Sequence, residues 1–399
     1  MTITMPHRIL VAPSGFKESL SAGEVADAIA RGARRCLPGV VVETIPMVDG
    51  GEGTAAALAD MTGGKLVPVT VCGPVGVDVE SHIALLGGEL AGTVAIDMAS
   101  AAGLRLVPRD LRDPTVTTTR GVGQLILAAL DAGARRIIIG CGDSGTSDGG
   151  AGLVQALGGR ISDAQGRELA PGGAALADAV KLDLSDLDPR IAETEIVAAC
   201  NMHNVLTGPR GVARVFGPQK GATPEQVERL ASALERWADL LMSECGEVLG
   251  DVDIRTAGGS GASGGLGAAL AAVCGARLAT RFEVLLDPRL TGLELDEAIA
   301  RADLVVTAEG AVDYQTPRGK VPAEVARRSK RYGKPVIAFA GSIGKGASAV
   351  HDVGIDAVVG MIPVPMTLAE AIENADELLA DATERALRLV ALGCVLAAR

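Results

Sequence analysis

Patterns typical of buried strands recur along this chain, and several of them run into a loop of glycine and small polar residues that is followed by a helix. The clearest is residues 137–152, where three isoleucines lead into glycine, serine, threonine and aspartate. Leu153, Val154 and Leu157 then follow at helical spacing. Such junctions offer backbone N–H groups and a helix N-terminus to anions. The feature predicts an α/β fold whose loops bind a ligand.

The distribution of these units along the chain predicts two domains. Strands alternate with helices at both ends, and the middle is less regular, with two strands predicted to pair as a meander around residues 73–76. We expect a doubly wound, Rossmann-like domain from residues 1–65 and 290–399, with a second α/β domain, residues 66–289, inserted in it. Predicted strands include residues 8–12, 40–46, 66–72, 82–86, 93–98, 195–200, 303–307, 334–340 and 356–361.

Composition narrows the class of protein. The chain has 399 residues, 48% of them apolar and only 2% aromatic, and it carries 52 glycines. Its net charge of −12 argues against nonspecific nucleic-acid binding. Seven scattered cysteines without a CxxC motif favour reduced thiols. We see neither a secretory signal nor a membrane-spanning run, so we expect a soluble cytoplasmic protein, as monomer or homodimer.

Lysines and acids occupy the predicted strand-to-helix loops. Lys17 follows the first strand, and Asp49 and Glu52 lie among three glycines after the second, where carboxylates suit Mg²⁺. Asp143 and Asp148 share the loop of residues 137–152 and could hold a metal ion or accept a proton. These loops are therefore candidate binding elements.

Further polar clusters follow later in the chain. Asn201, Asn204 and Lys220 lie near glycines and prolines, as in a binding loop. Residues 309–320 hold acids and a lysine after another predicted strand. Residues 259–264 match G-x-G-x-x-G, but no strand clearly precedes them and no later acid suits a ribose. Close helix packing or an anion contact is the preferred interpretation, and a dinucleotide site is set aside.

Phosphoryl transfer needs positive charge and N–H groups on phosphates, carboxylates for Mg²⁺ and a group that orients the hydroxyl. The chain offers these residue types. It lacks the Walker lysine motif, the HRD and DFG motifs of protein kinases, and the G-x-S-x-G motif of α/β-hydrolases. The sequence therefore excludes a P-loop kinase and argues against a protein kinase and an α/β-hydrolase.

Several motifs together resemble the bacterial type I glycerate kinases over essentially the whole chain. They lie in residues 12–21, 49–54, 144–152, 216–222 and 309–320. The resemblance implies ATP- and Mg²⁺-dependent phosphorylation of D-glycerate, usually at the 2-hydroxyl. It also implies two α/β domains, one inserted in the other, with the site in the cleft.

The predicted roles follow from these motifs. Lys17 and Lys220 contact anionic groups, and Asp148 orients or deprotonates the acceptor hydroxyl. Glu309 and Asp313 hold Mg²⁺, with Asp49 and Glu52 as rivals. The residues predicted to bind substrate or phosphate are Ser14, Ser19, Asp143, Ser144, Thr146, Asn201, Asn204, Gln315 and Lys320.

Some positions depart from the family pattern within these loops. Ser14-Gly15 stands where Asp-Ser is usual, Asp143 replaces a glycine, and Ala311 replaces an arginine. Ser147 stands where Asn is usual, and Asn201 and His203 replace aspartates. The loss of an arginine and gain of an acid favour two alternatives: a kinase for a different small hydroxy acid or polyol, or a catalytically weak relative that binds nucleotides or anions.

Overall fold

The computed structural model describes residues 5–16 and 19–397, and it is an α/β structure, which confirms the predicted fold class. The strands are β1 Arg8–Val11, β2 Val41–Thr44, β3 Lys65–Cys72, β4 Asp78–Leu85, β5 Thr93–Asp97, β6 Arg136–Gly140, β7 Arg160–Ser162, β8 Lys181–Asp183, β9 Glu195–Cys200, β10 Arg277–Thr280, β11 Leu304–Val312, β12 Val336–Ile343 and β13 Ala357–Gly360.

The helices differ widely in length. They are α1 Ala22–Cys36, α2 Thr54–Thr62, α3 Ala99–Ala102, α4 Arg120–Asp131, α5 Ala151–Ala156, α6 Val212–Phe216, α7 Pro224–Glu244, α8 Gly246–Leu249, α9 Ala262–Cys274, α10 Arg281–Leu285, α11 Pro288–Thr291, α12 Leu295–Arg301, α13 Val321–Arg331, α14 Leu368–Glu373 and α15 Ala375–Ala397. None of them, within the part of the chain described, combines the length and apolar character needed to cross a lipid bilayer.

The chain divides into two compact units, Met1–Asp49 with Leu293–Arg399, and Gly50–Gly292. In the first unit, five parallel strands lie in the order β13-β12-β11-β1-β2. Ile9 and Val11 pack into a cluster with α1 and α15, and Leu10 is equally buried. Burial of successive residues shows that the sheet is covered on both faces, as parallel sheets require.

Local sequence signals account for α1. Ser21 accepts a hydrogen bond from the Glu24 backbone, and the Glu24 carboxylate accepts one from the Ser21 N–H, so the two residues form a capping box. Val25 and Ile29 then face the core at helical spacing.

The second unit contains a six-stranded mixed sheet in the order β10-β9-β6-β5-β4-β3. Strands β5, β6, β9 and β10 are parallel, whereas β3, β4 and β5 pair antiparallel, as the predicted meander implied. Trp237 on α7 is fully buried in its core. A separate two-stranded antiparallel sheet, β7 with β8, completes the strands of this unit.

Residues 50–65 and 290–292 group with the second unit, whereas the predicted boundaries place them with the chain ends. One long-range contact that holds α2 in the second unit involves a carboxylate. Asp97, at the end of β5, accepts hydrogen bonds from the Gly53 and Ala55 N–H groups, at 2.8 and 2.9 Å. This carboxylate caps α2, whose own N-cap residue is a glycine without a side chain.

Candidate functional site

In the second unit, the loops after β5, β6 and β9 leave neighbouring parallel strands at their carboxyl ends. This is the edge where open α/β sheets bind ligands. The loop after β6 carries Asp143, Ser144, Thr146 and Asp148. We call residues 141–150 the β6 loop.

Asp148 is fully buried in the β6 loop. Its Oδ2 accepts hydrogen bonds from the Thr119 N–H and hydroxyl, at 2.8 and 2.9 Å, and from the Gly152 N–H at 3.2 Å. Its Oδ1 accepts one from the Gly150 N–H at 3.2 Å. The carboxylate therefore joins the first turns of α4 and α5 to the loop.

Burial raises the pKa of the Asp148 carboxyl, and the hydrogen bonds from Thr119, Gly150 and Gly152 oppose that shift. A buried carboxylate is stable only when such donors replace its lost hydration. Oδ2 is saturated by protein donors. This geometry favours a positioning role for Asp148 over direct contact with a substrate hydroxyl, and its predicted role as a base stays a prediction.

Lys220 ends the short 3-10 turn Pro218–Lys220 and is almost fully buried. Its Nζ donates hydrogen bonds to Ser144 Oγ at 2.9 Å and to the Thr146 carbonyl oxygen at 2.5 Å. The structure thus brings Lys220, Ser144, Thr146 and Asp148 together around one loop. Burial lowers the pKa of the Lys220 ammonium to about 7, and the negative charge of Asp148 opposes this shift.

Residues 257–265 pack directly on the β6 loop. A Cβ on Gly264, where φ is +74°, would lie only 2.0 Å from the Thr146 carbonyl oxygen. The Gly149 N–H donates to the Gly264 carbonyl. Close approach therefore explains these glycines, in agreement with the packing interpretation. The buried hydroxyls of Thr146, Ser147 and Ser263 have no hydrogen-bond partner among the described residues.

The other residues predicted near this sheet edge have varied surroundings. Asp143 is exposed in a left-handed conformation, with φ of 52°. Asn201 accepts a hydrogen bond from the His203 N–H through its side chain. Asn204 acts through its carbonyl oxygen, which accepts from Gly259 and Gly261. Both oxygens of the Glu52 carboxylate accept hydrogen bonds from Arg105, through its Nε and Nη2 groups. Asp49 is half-buried and belongs to the first unit.

In the first unit, the structure brings Glu309, Asp313 and Lys320 together. Lys320 Nζ lies 2.7 Å from Glu309 Oε1 and 3.9 Å from Asp313 Oδ1. The Thr316 hydroxyl donates to Glu309 Oε2 at 3.2 Å. Burial raises the pKa of the Glu309 carboxyl, and the contact with Lys320 opposes the shift. The expectation that the strand ends at Thr307 was wrong, because β11 continues to Val312 and pairs Glu309 with Ala340 of β12.

Among the other predicted site residues of this unit, Gln315 contacts that cluster directly, because its N–H donates to Asp313 Oδ1 at 2.8 Å. Ser14 donates its hydroxyl to the Ala308 carbonyl, next to Glu309. Ser19 donates to the Ile372 carbonyl at 3.3 Å, and exposed Gln315 donates to the Tyr314 hydroxyl. Lys17 lies outside the described residues.

The predicted carboxylates do not form a ready cage for a metal. Within residues 5–16 and 19–397, no three His, Cys, Asp or Glu side chains are grouped as a metal site. Mg²⁺, however, is commonly held by one or two carboxylates together with substrate phosphates. Glu309 and Asp313 fit that limited requirement, with Lys320 as their present cationic partner.

Sequence reasoning missed Asp97 and Thr119. Each works through a partner that is distant in sequence, Gly53 for Asp97 and Asp148 for Thr119. The one available signal was their place, an acid at the end of a buried strand and a threonine just before a helix.

Comparisons with known proteins agree with this architecture over its whole length. The family model described as "Glycerate kinase family" matches residues 9–391. Glycerate kinase of Bacillus subtilis strain 168 is 43% identical over 390 residues, covering 98% of each chain. Glycerate 2-kinase of Escherichia coli K12 is 43% identical over 386 residues, covering 97% of this chain and 98% of its own.

A solved structure shows the same fold. A protein of Salmonella typhimurium LT2 described as a glycerate kinase 2 superposes with a TM-score of 0.80 at 45% identity. The match covers 98% of this chain and 99% of that one. The resemblance inferred from the motifs is thereby confirmed.

Proposed function

The chain belongs to the glycerate kinase family, and from this we propose that it transfers the terminal phosphoryl group of ATP to D-glycerate. The structural observation that supports the proposal is Lys220, whose buried ammonium is fixed on the β6 loop by Ser144 and Thr146. Because these two hydrogen-bond acceptors are neutral oxygen atoms, the positive charge of the Lys220 ammonium remains available to bind an anion. Phosphoryl transfer depends mainly on such positioning and charge stabilisation.

In this proposal the β6 loop binds an anionic group of ATP or the acceptor. Lys220 supplies charge, and Ser144 and Thr146 supply hydroxyl donors. Asp148 orients the acceptor hydroxyl by fixing the loop through Thr119, Gly150 and Gly152. Asp143, Asn201 and Asn204 border the substrate.

Glu309 and Asp313 would hold Mg²⁺ in the first unit, where Ser14, Gln315 and Lys320 would contact phosphate. Mg²⁺ would supply charge neutralisation on phosphate oxygens. Asp49 and Glu52 are the alternative ligands. Glu52 is the weaker of the two, because Arg105 already pairs with both of its oxygens. Lys17 and Ser19 stay proposed phosphate contacts.

Finer features of the proposal come from the family resemblance. They are transfer to the 2-hydroxyl, an active site between the two domains, a cytoplasmic location, and a monomer or homodimer without nucleic-acid or membrane partners. The seven cysteines are unbridged thiols, which suits a reducing compartment.

The test is an assay with ATP, MgCl₂ and D-glycerate, in which the product is identified by ³¹P NMR. The proposal predicts ADP and 2-phosphoglycerate, with L-glycerate as the matched stereochemical control. Formation of 3-phosphoglycerate would overturn the assignment of the hydroxyl. ATP turnover that is independent of D-glycerate would overturn the proposed acceptor.

A second candidate, a kinase for another small hydroxy acid or polyol, is favoured by one observation. Exposed Asp143 adds a negative charge immediately before Ser144. A panel of hydroxy acids and polyols decides between the candidates, because this alternative predicts a higher kcat/KM for a panel member than for D-glycerate. Nucleotide binding without turnover of any member would instead indicate a non-catalytic relative.

A further inference from the structure

Arg112 has surroundings unlike those of most other arginines in this protein. It follows the 3-10 turn Arg109–Leu111, and its side chain is half-buried. Its Nε is fully buried and has no hydrogen-bond partner among the described residues. Desolvating a donor on a charged group without a partner is costly. The rest of the guanidinium keeps its donors and its charge.

Other half-buried arginines show how this chain normally treats such a group. Six of them pair with carboxylates at distances of 3.6 Å or less: Arg8, Arg31, Arg136, Arg214, Arg255 and Arg328. Arg112 has no such carboxylate partner among the residues described. An arginine that is partly desolvated yet unpaired suits an oxyanion that arrives with a ligand.

Arg112 lies beside the residues proposed to bind an anion. A Cβ on Gly221, which follows Lys220, would lie 2.3 Å from the Arg112 carbonyl oxygen and 2.8 Å from its Cβ. The left-handed φ of +100° and this contact both require glycine there. The backbone of Arg112 is thus packed against the turn that carries Lys220.

The segment that leads to Arg112 also borders the β6 loop. The Leu104 N–H donates to the Asp143 carbonyl at 2.9 Å, and the Gly145 N–H donates to the Ala102 carbonyl at 2.8 Å. One end of residues 102–112 therefore contacts the loop, and the other contacts the Lys220 turn. Both contacts lie within the second unit.

We propose that Arg112 is a substrate-binding residue that receives an oxyanion beside Lys220. The oxyanion is either the carboxylate of the acceptor or a phosphate of the nucleotide, since a guanidinium fork binds both in the same bidentate manner. This inference rests on the proposed kinase function. It supplies an arginine for anion recognition that the sequence analysis did not identify.

The experiment compares Arg112→Gln and Arg112→Lys with Arg109→Gln, which removes an exposed charge from the preceding turn. Steady-state kinetics are measured separately in D-glycerate and in ATP. We expect Arg112→Gln to raise one KM by about 10- to 100-fold, the value of a charged hydrogen bond. Arg112→Lys keeps the charge without the fork and gives an intermediate value, whereas Arg109→Gln matches the wild type.

The two sources of the oxyanion give different results. A higher KM for D-glycerate alone identifies the carboxylate, and a higher KM for ATP alone identifies a phosphate. Both constants within about twofold of those of Arg109→Gln would overturn the proposal, because even one charged hydrogen bond exceeds that.

Calorimetric titration with ATP and with D-glycerate separates this inference from the proposed function. If the wild type binds a probe without turning it over, the proposed reaction fails, and Arg112→Gln still tests the site through weakened binding. Equal binding of the probe by Arg112→Gln and Arg109→Gln would again overturn the proposal that Arg112 binds the oxyanion. Urea unfolding verifies that each variant is folded. If Arg112→Gln does not fold, Arg112→Lys is tested in its place, because it keeps the buried aliphatic part of the side chain.

Discussion

Asp148 in the second unit is fully buried and Glu309 in the first is half-buried; burial raises the pKa of both carboxyls, but different partners hold them. Three backbone N–H groups and the Thr119 hydroxyl surround Asp148. Glu309 is held by the side chains of Lys320 and Thr316. Backbone donors cannot leave without local unfolding, whereas side chains can exchange partners.

The lysines show the same contrast. Lys220 donates to a hydroxyl and a carbonyl, so its charge is not neutralised by an ion pair. Lys320 is paired with Glu309. In the second unit, the charge of Lys220 is therefore held in a fixed position by a hydroxyl and a carbonyl. In the first unit, Lys320 forms an ion pair with Glu309, and a metal ion can replace the lysine there.

The largest effect is expected from Lys220→Met. Removing the ammonium should lower kcat/KM for D-glycerate by about 100-fold or more, because the charge is proposed to act on an anion. Folding stability should be unchanged or higher by about 1–2 kcal/mol, since a buried charge is replaced by an apolar group of similar length. Kinetics and urea unfolding provide the measurements. Near-normal kcat/KM would remove Lys220 from the proposed site.

Asp148→Asn should destabilise the fold by about 2–4 kcal/mol, because an amide NH₂ would face donors that the carboxylate accepts. Glu309→Gln is the comparison, with an expected loss of about 1 kcal/mol or less from a partly exposed ion pair. Urea unfolding measures both. Equal stability losses would contradict the distinction between an anchored and an exchangeable carboxylate.

Glu309→Gln should raise the Mg²⁺ concentration for half-maximal activity by about tenfold, because it removes one of two proposed ligands. Glu52→Gln is the matched control, since Glu52 is paired with Arg105 and we expect no change. An Mg²⁺ titration at fixed ATP measures both variants. The reverse result would assign the metal to the rival site.

A further prediction concerns the dependence of folding stability on pH. The ordinary pKa of 10.5 applies to Lys220 in the unfolded chain, and burial lowers it to about 7 in the folded chain. Between these values the unfolded state binds more protons, so this group makes stability rise with pH, by up to about 1.4 kcal/mol per unit. Urea unfolding from about pH 7 to 9 should show a rise that Lys220→Met lacks. An identical slope in both proteins would contradict the lowered pKa.

Local patterns were sufficient to predict much of the fold. The pairing of β3 with β4 depends on residues near in sequence, and the alternation of strands and helices at both chain ends depends on hydrophobic spacing. Glu309 was misplaced on a loop because glycine and charge in residues 309–313 hid the continuation of β11.

The site could be predicted only in part. The motifs identified Lys220, Ser144 and Asp148, but their mutual contacts span as many as 76 residues, as from Lys220 to Ser144. Asp97 caps a helix 42 residues before it in the chain. That Arg112 Nε finds no hydrogen-bond partner among residues 5–16 and 19–397 depends on how distant segments pack around it. Such facts arise from tertiary packing and leave no local signature.

The most direct test of the account is the pH dependence of kcat/KM for D-glycerate, which reports groups of the free enzyme. If the buried Lys220 must be charged to receive the substrate, kcat/KM falls as pH rises above about 7, where the ammonium loses its proton. The predicted decline approaches about tenfold per pH unit, and phosphate groups, which titrate near 6, do not produce it. A kcat/KM that stays level or rises from about pH 7 to 9 would contradict the central role of Lys220.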